Sequence, residues 1–71
     1  MIRLKELRKS LNLTQEEVAK KLNIKQNTYS QYENFQREPS IELLIRLAKL
    51  FDTSIDYIVG LTDEEQGYPK N

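Results

Sequence analysis

The feature that most constrains this chain of 71 residues is the close succession of two helix signals around Asn23. Thr14 and Glu17 have the three-residue spacing of a capping box, which predicts a helix that begins after Thr14. Asn23 is expected to end that helix, because asparagine tolerates the left-handed conformation that helix ends often require. Another helix is predicted from Ile24 to about Glu33. Since only about three residues link these short helices, we expect them to cross steeply.

Three further helices are predicted around this central pair, and no segment has the alternating pattern of a strand. The first covers roughly residues 2–10, the fourth residues 41–51 and the fifth residues 55–59, with Gly60 as the residue that stops it. The fourth helix has the broadest apolar stripe and is expected to be the central core helix. Its predicted core face consists of Ile41, Leu44, Ala48 and Phe51, widened by Leu43, Leu47 and Leu50.

The composition excludes most classes of enzyme. Neither Cys nor His occurs, which removes thiol chemistry, disulfides, Cys/His metal sites and imidazole catalysis. We expect no enzymatic activity, no cofactor and no bound metal. No apolar run approaches the roughly 20 residues of a membrane span, and the N-terminus has no signal-peptide pattern, so a cytoplasmic location is predicted. The change in composition after residue 61 divides the chain into a domain (1–61) and an acidic, flexible tail (62–71).

The net charge is zero but unevenly distributed. Residues 1–37 contain eight basic and four acidic residues, a net charge of +4, and residues 38–71 carry the compensating −4. A zero net charge argues against strong nonspecific binding to nucleic acid. A basic half is compatible with an anionic partner, and it is equally compatible with an ordinary solvated surface.

The third predicted helix has one face of uncharged polar side chains. On a helical wheel, Tyr29 and Tyr32 fall on the side expected to be buried. The opposite arc consists of Gln26, Asn27, Ser30, Gln31 and Asn34. Solvated helix faces are usually rich in Glu and Lys, whereas a carboxamide pairs with the N6 and N7 edge of adenine in the DNA major groove. The arc predicts base reading, with a neutral polar surface arising by chance as the alternative.

Together these segments resemble the phage-repressor-type (Cro/CI-like, XRE) helix-turn-helix family over about residues 2–61. The stretches that carry the resemblance are LTQEEVA (13–19), LNI (22–24), QNTYSQYEN (26–34), REPS (37–40), LAKLF (47–51) and SIDYIVG (54–60). The resemblance implies a compact five-helix, lambda-repressor-like fold. It also implies that the second helix lies across the DNA backbone while the third enters the major groove.

The resemblance assigns roles to individual residues. It implies base contacts from Gln26, Asn27 and Gln31. It also implies that five residues contact the DNA backbone or lie beside it: Gln15, Lys25, Ser30, Asn34 and Arg37. Arg8 and Glu33 match positions that the family joins in an internal salt bridge. For dimerisation, the apolar residues at the exit of the fifth helix, Ile58, Val59 and Leu61, offer a patch that is equally able to cap the core.

Four positions depart from the family pattern. Relatives often have Gly at the positions of Asn23, Phe35 and Asp52, and Ser or Thr at that of Lys25. Asn23 and Asp52 are mild changes, because both residue types tolerate left-handed geometry. Lys25 is a poor helix cap, which is consistent either with a phosphate contact or with a structural accident. Phe35 leaves open the loop conformation and a role in packing or partner contact.

The sequence therefore predicts a sequence-specific regulator of transcription that binds double-stranded DNA as a homodimer, most simply a repressor. No membrane partner and no small-molecule effector is expected. The alternative is a protein-binding antitoxin or adaptor module built on the same fold, which the zero net charge favours slightly.

Overall fold

Five α-helices and no strand are found in residues 3–63, the part of the chain that the computed structural model describes. The helices are α1 (Leu4–Ser10), α2 (Gln15–Leu22), α3 (Gln26–Glu33), α4 (Ile41–Leu50) and α5 (Ile55–Ile58). The all-α, five-helix fold predicted from the sequence is confirmed. Of the tail predicted over residues 62–71, positions 64–71 lie outside the described part of the chain.

Three helices begin at a hydroxyl side chain that accepts a hydrogen bond from the first turn. Thr14, Ser40 and Ser54 cap α2, α4 and α5 in this way. The predicted capping box of α2 is complete, because the Glu17 carboxylate also accepts from the Thr14 backbone N–H at 2.9 Å. Lys25 precedes α3 and supplies no such cap.

All five helices of the described region end in the same backbone arrangement. A residue with positive φ follows each helix, and this residue and the next donate their N–H groups to carbonyls of the last turn, as in a Schellman motif. The positive-φ residues are Asn12, Asn23, Phe35, Asp52 and Gly60. Gly60 ends α5 as predicted. Phe35 is exceptional, because a phenylalanine has no short polar side chain that favours φ of 60°.

Replacing Phe35 with glycine is expected to stabilise the fold. The left-handed conformation costs a residue with a Cβ roughly 1–2 kcal/mol, and the greater entropy of glycine in the unfolded chain removes part of that gain. Because the Phe35 side chain is 63% exposed, little burial is lost. We expect Phe35→Gly to raise the free energy of unfolding by about 0.5–1 kcal/mol, measured by urea denaturation. Phe35→Ala removes the ring but keeps the Cβ, so an equal gain from alanine would contradict this explanation.

The core differs from the predicted one at one residue of α4. Leu43, Leu47 and Phe51 are buried, whereas Ile41 is 74% exposed. Leu44 and Ala48, which were predicted to share a face with Ile41, pack against the core. The prediction that Ile41 lies on the core face is wrong, and the other predicted core residues of α4 lie in or against the core. The apolar arc is wider than the buried face, and Ile41 lies at its exposed edge.

Ile58 lies in the core and does not form part of a surface patch. It is fully buried, and its backbone carbonyl accepts a hydrogen bond of 2.8 Å from the Arg3 N–H. This interaction ties α5 to the residue that precedes α1. The predicted dimerisation patch is therefore corrected: Ile58 is inaccessible in the folded chain, Val59 is half-buried and Leu61 is exposed.

Candidate nucleic-acid interface

Two tyrosines and a glutamate anchor α3 in the domain. The helix contains no aliphatic side chain, and its buried residues are Tyr29, Tyr32 and Glu33. Tyr29 is fully buried and belongs to the main hydrophobic core. Because α3 is held from this one side, its opposite side remains available to a partner.

The three residues predicted to contact bases are not equally accessible. Gln26 and Asn27 are exposed in the first turn of α3, and Gln31 is half-buried further along the helix. None of them carries a charge, so the accessible end of α3 presents carboxamide donors and acceptors. Their contact with DNA remains a prediction.

The residues predicted to contact the DNA backbone lie around this helix. Lys25 precedes α3, and Asn34 and Arg37 follow it, all three exposed. The Asn34 Nδ2 donates to the Ser30 Oγ at 3.3 Å across one turn of the helix. Gln15 is half-buried in the first turn of α2. Cationic and amide donors thus flank α3 at both ends.

The turn between α2 and α3 is fixed by α4. The Arg46 guanidinium donates to the Leu22 carbonyl oxygen at 2.5 Å, which satisfies a carbonyl at the end of α2. Asn23 then reverses the chain with φ of 58°. This contact couples the central core helix to the turn, so the crossing of α2 and α3 is supported from outside the motif.

A buried ion pair joins α1 to the end of α3. The Arg8 Nε donates to the Glu33 Oε2 at 2.7 Å, and the Arg8 Nη2 donates to the Glu33 Oε1 at 3.2 Å. The side chains are only 12% and 2% exposed, respectively. The Arg8 Nη1 also donates to the Leu13 carbonyl oxygen at 2.9 Å, and the Gln15 Nε2 donates to the Glu33 Oε1 at 3.0 Å. One carboxylate therefore connects three helices.

The protein environment keeps Glu33 ionised. Burial alone would raise the pKa of Glu33, but the Arg8 guanidinium, the Tyr29 hydroxyl and the Gln15 amide beside the carboxylate hold it below its ordinary value. Beside this pair, burial raises the pKa of Tyr29 and keeps its hydroxyl protonated. Within residues 3–63 that hydroxyl is buried and has no hydrogen-bond partner. Packing of its ring in the core holds Tyr29 in place.

Sequence reasoning missed two of these interactions. The Gln15–Glu33 contact spans 18 residues, and the Arg46–Leu22 contact spans 24, so no helical periodicity relates the partners. The sequence shows Gln15 at the start of α2 and Arg46 on α4, but their partners depend on how the helices pack.

Residues 3–63 contain no group of acidic side chains placed to hold a metal ion. None of the helices in the same region has the length and apolar character needed to cross a membrane.

Two short helices, α2 and α3, joined by a tight turn with the second held against the core, form a helix-turn-helix motif. The family model described as helix-turn-helix matches residues 4–58, and the chain belongs to this family. The resemblance stated from the sequence is thereby confirmed.

Relatives with described names support the same assignment. The chain is 45% identical over 62 residues to the uncharacterized HTH-type transcriptional regulator YobD of Bacillus subtilis, covering 87% of this chain and 55% of the relative. It is 45% identical over 58 residues to the HTH-type transcriptional regulator ImmR of the same species, covering 82% and 46%. It is 36% identical over 66 residues to the cryptic phage CTXphi transcriptional repressor RstR of Vibrio cholerae, covering 90% and 59%. The chain therefore spans about half the length of these relatives.

Proposed function

We propose that this chain binds double-stranded DNA in a sequence-specific manner and regulates transcription, most simply as a repressor that occludes a promoter. The observation that carries the proposal is the exposed amide pair Gln26 and Asn27 at the start of α3, on a helix held from behind by buried Tyr29 and Glu33. The names of the relatives as regulators and repressors support it.

The geometry of α3 suits the major groove, which is wide enough for an α-helix. A glutamine carboxamide donates to N7 and accepts from N6 of adenine in a bidentate pair, and asparagine can form the same pair. We assign this role to Gln26, Asn27 and Gln31. The half-buried Gln31 reaches the groove only if the helix inserts along its length.

Flanking residues fix the helix in the groove. Lys25 and Arg37 are exposed cations on either side of α3, and Ser30, Asn34 and Gln15 supply uncharged donors. Contacts of this kind position a protein on the duplex without reading its sequence. The mechanism is binding and exclusion of other proteins, with no chemical step, cofactor or small-molecule effector.

A second copy of the chain completes the proposed site. One such unit reads only a few base pairs, so members of this class bind two half-sites about 34 Å apart as a two-fold dimer. The exposed Leu61 and half-buried Val59 are the remaining residues of the predicted dimer patch. In this proposal residues 1–61 form the DNA-binding domain, residues 62–71 the tail, and the regulator acts in the cytoplasm.

Gln26→Ala is expected to relax the preference at one base pair and to weaken binding to the preferred duplex by roughly 1–3 kcal/mol. The preferred duplex is first selected from a random pool, and dissociation constants are then measured for all variants at one position. Gln31→Ala should act in the same way at a different base pair. Equal losses on specific and random duplexes would contradict base reading.

Lys25→Ala is the matched control for these substitutions. Because Lys25 is exposed and cationic, its loss should weaken binding to all duplexes alike and reduce the salt slope by about 0.9. If the unaltered chain bound no duplex even at low salt, a protein-binding antitoxin or adaptor role would replace the proposed function.

A further inference from the structure

The carboxamide of Gln15 is held from inside the protein. Gln15 is half-buried in the first turn of α2, and its Nε2 donates to the Glu33 Oε1 at 3.0 Å. A glutamine nitrogen carries two N–H groups, so this bond leaves one N–H for another acceptor. The position is one of those proposed above to face the DNA backbone.

Glu33 can orient Gln15 because its own carboxylate is fixed. Both carboxylate oxygens accept from the Arg8 guanidinium, at 2.7 Å and 3.2 Å. Arg8 is fixed in turn by the Leu13 carbonyl oxygen at 2.9 Å. The Glu33 side chain is 2% exposed, so it cannot turn toward solvent without breaking this network. The positive charge of Arg8 also offsets a negative charge that would otherwise repel an approaching phosphate.

We propose that Glu33 is a positioning residue for DNA binding: its buried carboxylate orients the Gln15 carboxamide so that the second N–H meets a phosphate beside the start of α2. The proposal rests on the proposed DNA-binding function. A side chain that is already ordered loses little rotamer freedom when the phosphate arrives.

A double-mutant cycle tests this coupling. The pair-free variant, Arg8→Met with Glu33→Leu, removes both charges together and leaves neither buried without a partner. In the unaltered background, Gln15→Ala should weaken binding to the selected duplex about tenfold, as expected for a bond to a charged group. In the pair-free background the same change should cost less than about twofold, because Gln15 is no longer oriented. Equal losses in both backgrounds would overturn the proposal.

Two controls separate positioning from a general structural effect. Lys25→Ala should cost the same in both backgrounds and lower the salt slope by about 0.9. Gln15→Ala should leave the slope unchanged, because a neutral side chain neutralises no phosphate. A wild-type chain that binds no duplex would overturn the DNA-binding function as well, whereas normal wild-type binding with equal Gln15→Ala losses would overturn only the role of Glu33.

A second measurement avoids any change to the ion pair. In the unaltered protein, the Gln15 side-chain N–H that is bonded to Glu33 should exchange with solvent more slowly than the side-chain N–H groups of the exposed Gln26. Adding the selected duplex should shift the resonance of the other Gln15 N–H strongly. Gln15 side-chain N–H groups that exchange as fast as those of Gln26, or resonances that do not move when the duplex is bound, would overturn the proposal.

Discussion

Arg8→Met is expected to lower the free energy of unfolding by about 3–5 kcal/mol, the cost of leaving one member of a buried ion pair without its partner. The Glu33 side chain is 2% exposed, so water cannot replace the lost guanidinium. Gln15 would remain as a neutral donor to the carboxylate. Since small domains have only about 5–15 kcal/mol of total stability, a large fraction of the Arg8→Met molecules should be unfolded at moderate temperature. Urea denaturation followed by circular dichroism measures the change.

Two further variants give this prediction its controls. The pair-free variant should be close to the unaltered protein in stability, because replacing both charges with apolar groups removes the desolvation cost together with the attraction. Asp63→Asn is the matched surface control: Asp63 pairs with Arg3 at 2.8 Å, and its side chain is 98% exposed. The charge of so exposed a partner contributes little. If Arg8→Met were as mild as Asp63→Asn, the Glu33 carboxylate would have to be solvated or protonated in the folded chain.

The helix ends were the most predictable part of the fold, because they depend on residues close in sequence. The Thr14–Glu17 box and the left-handed Asn23 and Gly60 follow from local hydrogen bonding and sterics. The limits of the buried face of α4 were not predictable in the same way. Its apolar arc covers more than half of the helix, so the sequence allowed Ile41, at the edge of that arc, as a core residue, but packing against the other helices leaves it exposed.

In the candidate site, too, features set by local sequence were predictable and contacts between helices were not. The amide arc of α3 is a property of one helix and its periodicity, and the first-turn residues Gln26 and Asn27 are exposed as that pattern implied. The bond from Gln15 to Glu33 depends on the packing of α2 against α3. The burial of Ile58 likewise depends on α5 closing against the start of α1. The amide face of α3 could therefore be predicted from local sequence, whereas the contacts between helices that hold α3 in place could not.

Tyr29→Ala is expected to destabilise the fold by about 3–5 kcal/mol, the range for removing a large buried ring. Tyr29 has no exposed surface and lies in the core, where it is one of two buried apolar side chains that α3 contributes. Its loss leaves a cavity directly behind the amide face. We therefore expect DNA affinity to fall together with stability, and both are measured on the same preparation at low temperature, where the folded fraction is highest.

Tyr29→Phe separates the ring from its hydroxyl. That hydroxyl is buried without a hydrogen-bond partner in the described region, so its removal takes away an unsatisfied polar group and should change stability by less than about 1 kcal/mol. DNA affinity should be retained. A loss of about 1.5–3 kcal/mol would instead be the cost of breaking a bond to a charged group, and it would identify Tyr29 as a third donor to the Glu33 carboxylate. If Tyr29→Phe leaves stability nearly unchanged while Tyr29→Ala lowers it strongly, packing of the ring holds α3 in place.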